Sequence, residues 1–202
     1  MTRKSSYKKR PRTYSERQVD TLNTIERFLI VCEGEKTEPN YFKSFRVPKQ
    51  VVDVKGYGFN TVALVEKALE LKNQGNYDQI WCVFDKDSFP VEHFNRAITL
   101  AKQNGIAVAY SNEAFELWYL LHFNYYDTAI GRDDYIQKLS ELLGYKYKKN
   151  SDLIYEEIQR YQITAIRNAR KLLEQYIPPN PAYDKPSTTV HLLVEQLNRF
   201  IR

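Results

Sequence analysis

The stretch QIWCVFDKD, residues 79–87, decides the fold. From Ile80 to Phe84 it is apolar at every position and rich in β-formers, and it stops abruptly at Asp85-Lys86-Asp87. A run that is apolar at consecutive positions fits a strand covered on both faces, as in parallel sheets flanked by helices. Glu26 to Cys32 (ERFLIVC) is a second run of this kind, ending at Glu33-Gly34. Between them, Lys36 to Arg46 carries Pro39 in a first helical turn and Tyr41, Phe42 and Phe45 at helical spacing. Val51 to Val54 is a further strand, punctuated by Gly56 and Gly58. Thr61 to Lys72 (TVALVEKALELK) repeats apolar residues every three or four positions and predicts a helix. Beyond the central stretch, Val91 to Gln103 predicts a helix capped by Gly105, and Ile106 to Tyr110 a fourth strand. This alternation predicts an α/β fold: a mostly parallel four-stranded sheet flanked by helices.

After Tyr110 the alternation stops. Glu113 to His122, Arg132 to Leu143 and Leu153 to Ile177 read as helices, the last ended by Pro178, Pro179 and Pro181. Ser187-Thr188-Thr189 is expected to cap a final helix reaching about Phe200. The expected organisation is a basic, flexible arm over 1–24 and a single α/β domain over 25–202 with a helical C-terminal half.

The 202 residues are 43% hydrophobic and 27% charged, enough for one sizeable core. No apolar run approaches the ~18 residues of a membrane span, and the N-terminus lacks an apolar signal region. Cys32 and Cys82 each sit inside an apolar run, which suits small buried hydrophobes better than a disulfide or a zinc site. These features point to a cytoplasmic protein without membrane contact. The net charge of +5 is unevenly placed: residues 1–17 hold seven Lys or Arg and one Glu, so the rest of the chain carries −1. A basic arm on a nearly neutral body suits contact with a nucleic-acid backbone.

Parallel sheets bind ligands at the carboxyl ends of their strands. Here one strand ends at Glu33 and another at Asp85, with Asp87 two residues on and therefore pointing the same way in extended chain. Right-handed crossovers can set these two strands side by side, so that three carboxylates converge. Such carboxylates repel one another unless a divalent cation joins them. All-oxygen donors without thiolate or imidazole favour Mg²⁺ or Mn²⁺ over Zn²⁺. Sites of this kind serve phosphoryl chemistry. The plainer reading of Asp85 and Asp87 is a turn and a helix cap.

Four blocks, FLIVCEGEKTEPNYF (28–42), IWCVFDKDSF (80–89), AYSNEAFELWYLLHF (109–123) and PSTTVHLLVEQL (186–197), together resemble the RloB family of bacterial proteins over nearly the whole chain. That family includes a component of the AbiL abortive-infection system and is similar to the Toprim superfamily. The Toprim signature is a Glu after the first strand and Asp-x-Asp after a later one. Glu33, Asp85 and Asp87 stand at those positions. The resemblance implies a Toprim-like (Rossmann-like) fold and a Mg²⁺-dependent nuclease acting in anti-phage defence beside an ABC/AAA-type ATPase partner. A homo-oligomer is compatible with it. The rival expectation is a catalytically silent module that binds nucleic acid or the partner. Asp-x-Asp on a later strand than Glu-Gly argues against a receiver or haloacid-dehalogenase phosphotransfer site.

Other residues near the expected sheet edge extend the candidate site. Glu33 is a metal ligand or the general acid/base. Glu35 and Glu38 either hold a second ion or simply favour a helix's first turn. Glu113, or Glu116, would add a metal ligand, and Asn112 would cap the next helix. Lys36, Lys148 and Lys185 are candidate phosphate contacts. Lys148 lies in a basic–aromatic patch (Tyr145, Lys146, Tyr147, Lys148, Lys149) suited to single-stranded nucleic acid. Trp118 and His122 lie one helical turn apart, and His122 is expected in the core.

Overall fold

The computed structural model describes residues 26–48, 51–58, 60–86 and 90–201. The basic arm and Asp87 lie outside the described residues. The order of elements is β1 (Phe28–Cys32), α1 (Thr37–Lys43), β2 (Val52–Gly56), α2 (Thr61–Gln74), β3 (Gln79–Asp85), α3 (Val91–Gln103) and β4 (Ala107–Asn112). There follow α4 (Glu116–Phe123), α5 (Arg132–Leu143), α6 (Ile154–Ile158), α7 (Gln162–Leu173), β5 (Ser187–Thr188) and α8 (Val190–Asn198). A 3₁₀ turn at Gln159–Tyr161 joins α6 to α7.

The sheet order is β2-β1-β3-β4-β5. β1 is parallel to both β2 and β3, and β3 is parallel to β4. β1 and β3 are thus neighbours, in register from Phe28↔Gln79 to Cys32↔Val83. Every residue of β1 is fully buried, because both faces of the sheet are covered. Phe28, Ile30 and Cys32 face a core shared with α1, α4, α5, α7 and α8. Leu29 and Val31 face the other core, filled from α2 by Leu64, Val65 and Ala68 and from α3 by Phe94, Ala97 and Ala101. The uninterrupted apolar runs of β1 and β3 follow from this two-sided covering. On the larger side, Tyr41 sits among Phe42, Phe45, Phe115, Tyr119 and Tyr155, with ring centroids 5.3–5.7 Å away. These rings pin α1 to α4.

The sheet has five strands rather than the expected four. Ser187 and Thr188 pair antiparallel with β4, Ser111↔Thr188 and Asn112↔Ser187; the expected cap of α8 is still in place, with Thr189 as the N-cap residue and Thr188 Oγ1 accepting from Val190 N (3.3 Å). The edge of β4 takes up the Thr189 hydroxyl, which makes no side-chain bond to α8. Tyr110 N donates to Thr189 Oγ1 (2.9 Å), and Thr189 N donates to Tyr110 O (2.9 Å). Asn112 likewise ends β4 and does not cap α4; its side-chain amide donates to Pro181 O at 3.2 Å. Among the described residues, no helix is long and apolar enough to cross a membrane.

Candidate functional site

At the carboxyl end of β1, the backbone of Glu33 is held from both sides. Its N–H donates to Val83 O (2.9 Å), and its carbonyl accepts from Gly58 N (2.8 Å). Its side chain crosses to β3, where Oε2 accepts from Asp85 N at 3.1 Å. Asp85 is the last residue of β3 and is 8% exposed. Its Oδ2 accepts from Arg132 Nη2 at 3.1 Å, and its Oδ1 has no hydrogen-bond partner among the described residues.

These groups line a cleft of about 320 Å³ together with Glu38, Glu116 and Lys149. Glu38 lies in the first turn of α1 and Glu116 in the first turn of α4, and both are buried. Arg132 opens α5. Lys149 is carried by the segment after α5, which is tied to α1 by Thr37 Oγ1 donating to Lys149 O (2.7 Å) and Asn40 Nδ2 donating to Asp152 Oδ1 (2.6 Å). Backbone packing demands glycine at Gly56, whereas a side chain at Gly34 would displace the Glu38 carboxylate. A Cβ at Gly34 would stand 2.2 Å from Glu38 Oε2, and one at Gly56 would stand 2.5 Å from Gly34 O.

Among the described residues four carboxylates thus face two cations, and the imbalance appears in the proton affinities of Asp85 and Glu38. The Asp85 carboxyl is held well above its ordinary range, first by burial and then by the charges of Glu38 and Glu116, against the opposing pull of Arg132. Glu38 is raised as well, chiefly by burial; a hydrogen bond to the backbone lowers it and Glu116 raises it further. A site with this excess of negative charge, all in oxygen donors, suits a hard divalent cation. Glu33 and Asp85 are the described pair that could hold one. Among the described residues no three His, Cys, Asp or Glu side chains stand together as a metal-binding group. Asp87, the third expected ligand, lies outside them.

The remaining sequence candidates fall elsewhere. Glu113 does not line the cleft; it forms an ion pair with Lys185, so this expected metal ligand and this expected phosphate contact neutralise each other. Glu116, three residues on and turned inward by the start of α4, takes the place at the cleft. Lys36 and Lys148 are exposed and do not line it, and Glu35 is exposed. The basic–aromatic patch is not a stacking platform as a whole, because Tyr147 is buried against Tyr119 (6.1 Å between centroids). His122 is a core residue: buried, with Nδ1 2.9 Å from Trp118 O and its pKa pulled down to about 4 by burial. Arg132 was visible in the sequence only as the start of a helix. Nothing local marks it, since packing of α5 against α4 brings it to Asp85.

No curated protein and no solved structure matches the chain. The family model described as RloB-like protein matches residues 28–197, and the chain belongs to that family.

Proposed function

We propose that this cleft is a Toprim-type divalent-cation site and that the chain is a Mg²⁺- or Mn²⁺-dependent nuclease. It would hydrolyse phosphodiester bonds of DNA or RNA as the effector of an anti-phage defence system regulated by an ABC/AAA-type ATPase. The observation that carries this reading is Asp85: a buried carboxylate at a strand's carboxyl end, with one oxygen lacking a hydrogen bond among the described residues, in a cleft whose described carboxylates outnumber its described cations. Leaving such charges uncompensated is costly, and a cation relieves the cost.

In this reading Glu33 and Asp85, with Asp87 following, hold the ion. Bound there, it supplies charge neutralisation at the phosphate and a more acidic water. The protein's own groups do the rest. The Glu33 carboxylate fixes the backbone of Asp85 and so its direction. Glu38, whose carboxyl retains its proton to higher pH than an exposed one, is suited to protonate the leaving oxygen. Lys149, exposed at the rim, draws in the phosphate backbone.

The test is cleavage of labelled single- and double-stranded DNA and RNA by the purified full chain in Mn²⁺, with and without the partner ATPase. Asp85→Asn is expected to lower the rate by a factor of about a thousand or more while the chain keeps its circular-dichroism spectrum. An Asp85→Asn variant that cuts as fast as wild type removes this reading and leaves the binding module in its place.

A further inference from the structure

The Arg132–Asp85 pair has a property that a structural ion pair does not need. Its guanidinium sits on the one carboxylate best placed to receive a cation, inside a cleft whose net charge remains negative after the pair is counted. The two partners are also unequally placed. The Asp85 side chain is 12% exposed, whereas that of Arg132 is 29% exposed. Asp85 Oδ2 is committed to Arg132 while Oδ1 is buried without a hydrogen-bond partner among the described residues. A divalent ion that takes Asp85 brings two positive charges against the guanidinium, at a distance where like charges in a partly buried site repel strongly. Arg132 then has to turn outward. There its fork of donors matches the paired non-bridging oxygens of a phosphodiester.

We infer that Arg132 is an exchangeable counter-ion: it occupies the cation position on Asp85 in the empty site, and the arriving metal ion releases it to bind the substrate phosphate. This inference rests on the divalent-cation reading of the same cleft and adds an order and a coupling to it. Metal and phosphate bind cooperatively because each favours the outward position of one side chain, and the coupling is reciprocal. Arg132 is thus a positioning residue for the metal and a contact residue for the phosphate. The other charged groups lining the cleft are Glu33, Glu38, Glu116 and Lys149.

The experiment is a calorimetric titration of the full chain with Mn²⁺, alone and in excess dimethyl phosphate, for wild type, Arg132→Gln, Arg132→Lys and Asp85→Asn. Asp85→Asn is expected to bind no Mn²⁺ at this site. Removing the competing cation in Arg132→Gln is expected to tighten Mn²⁺ binding about fivefold or more, and Arg132→Lys to restore the wild-type value. Dimethyl phosphate is expected to tighten Mn²⁺ binding in wild type and to leave Arg132→Gln unchanged. If Arg132→Gln binds Mn²⁺ no more tightly than wild type, the exchange is wrong while the metal site stands. If dimethyl phosphate has no effect on wild type, or the same effect on Arg132→Gln, the phosphate half is wrong. If wild type shows no Mn²⁺ binding that depends on Asp85, the divalent-cation reading itself fails, and the exchange fails with it.

Discussion

Asp85 and Glu38 show how this chain trades stability for a site. Both carboxyls are held above their ordinary values in the folded protein. The folded state therefore binds protons more tightly than the unfolded state at these two groups. Their contribution to stability is complete below the ordinary carboxylate range and is lost as pH rises through the raised values. Glu38→Gln, which keeps the shape and removes the charge, is expected to raise the melting temperature by about 2–4 °C at pH 8 in chelator. The gain should vanish near pH 4, and thermal denaturation at the two pH values measures both. His122 and His191 act in the opposite sense. Their folded values of about 4 lie below the ordinary 6.5, so their contribution is present above 6.5 and is lost as pH falls toward 4. Glu33 and Asp85 were legible in the sequence because a parallel strand's end is a fixed address and both runs stop on an acid. Arg132 was not legible, and Lys149 was legible only as part of a basic–aromatic patch and not as a cleft residue, because they lie 47 and 64 positions beyond Asp85 and reach the cleft only through tertiary packing. Glu113 misled because its place just after β4 is right, yet Lys185 reaches it first.

At the scale of elements, the legible parts were those with a period. The helices at Val91–Gln103 and Arg132–Leu143 occur with the bounds that their apolar spacing predicts. β5 has no period of its own. Two residues long, it exists because the edge of β4 offers hydrogen bonds to whatever crosses it. Thr189 closes that edge twice, accepting from Tyr110 N and donating to Val108 O (3.3 Å). Thr189→Val preserves shape but leaves the Tyr110 amide without this acceptor. The expected cost is about 1–3 kcal/mol, read as a fall of several degrees in melting temperature. An unchanged melting temperature would mean that the Thr189 hydroxyl adds nothing to the edge of β4. The consequence for the site is indirect: β4 leads into the segment that starts α4 and so sets the position of Glu116.

Taken whole, the molecule places its acidic cleft at one edge of a sheet, while its positive charge is concentrated in residues 1–17, outside the described residues. The arm and the cleft are expected to divide the work, the arm supplying affinity for nucleic acid and the cleft the chemistry. Deleting residues 1–24 should weaken oligonucleotide binding and flatten its dependence on salt. The slope of log affinity against log salt should fall by about 0.7–0.9 for each phosphate that the arm no longer neutralises. Cleavage at saturating oligonucleotide should remain. An unchanged salt slope would give the grip to the body of the protein instead.

Asp85 and Glu33 are proposed to serve a metal-dependent nuclease and not a structural role alone. Nucleic-acid integrity is to be followed in cells expressing the chain with the proposed ABC/AAA-type ATPase under phage challenge, comparing wild type with Glu33→Gln and Asp85→Asn. Wild type is expected to protect and to fragment DNA or RNA, the fragments naming the substrate, while both variants do neither. Variants that protect as well as wild type would contradict the claim and make the carboxylate cleft structural.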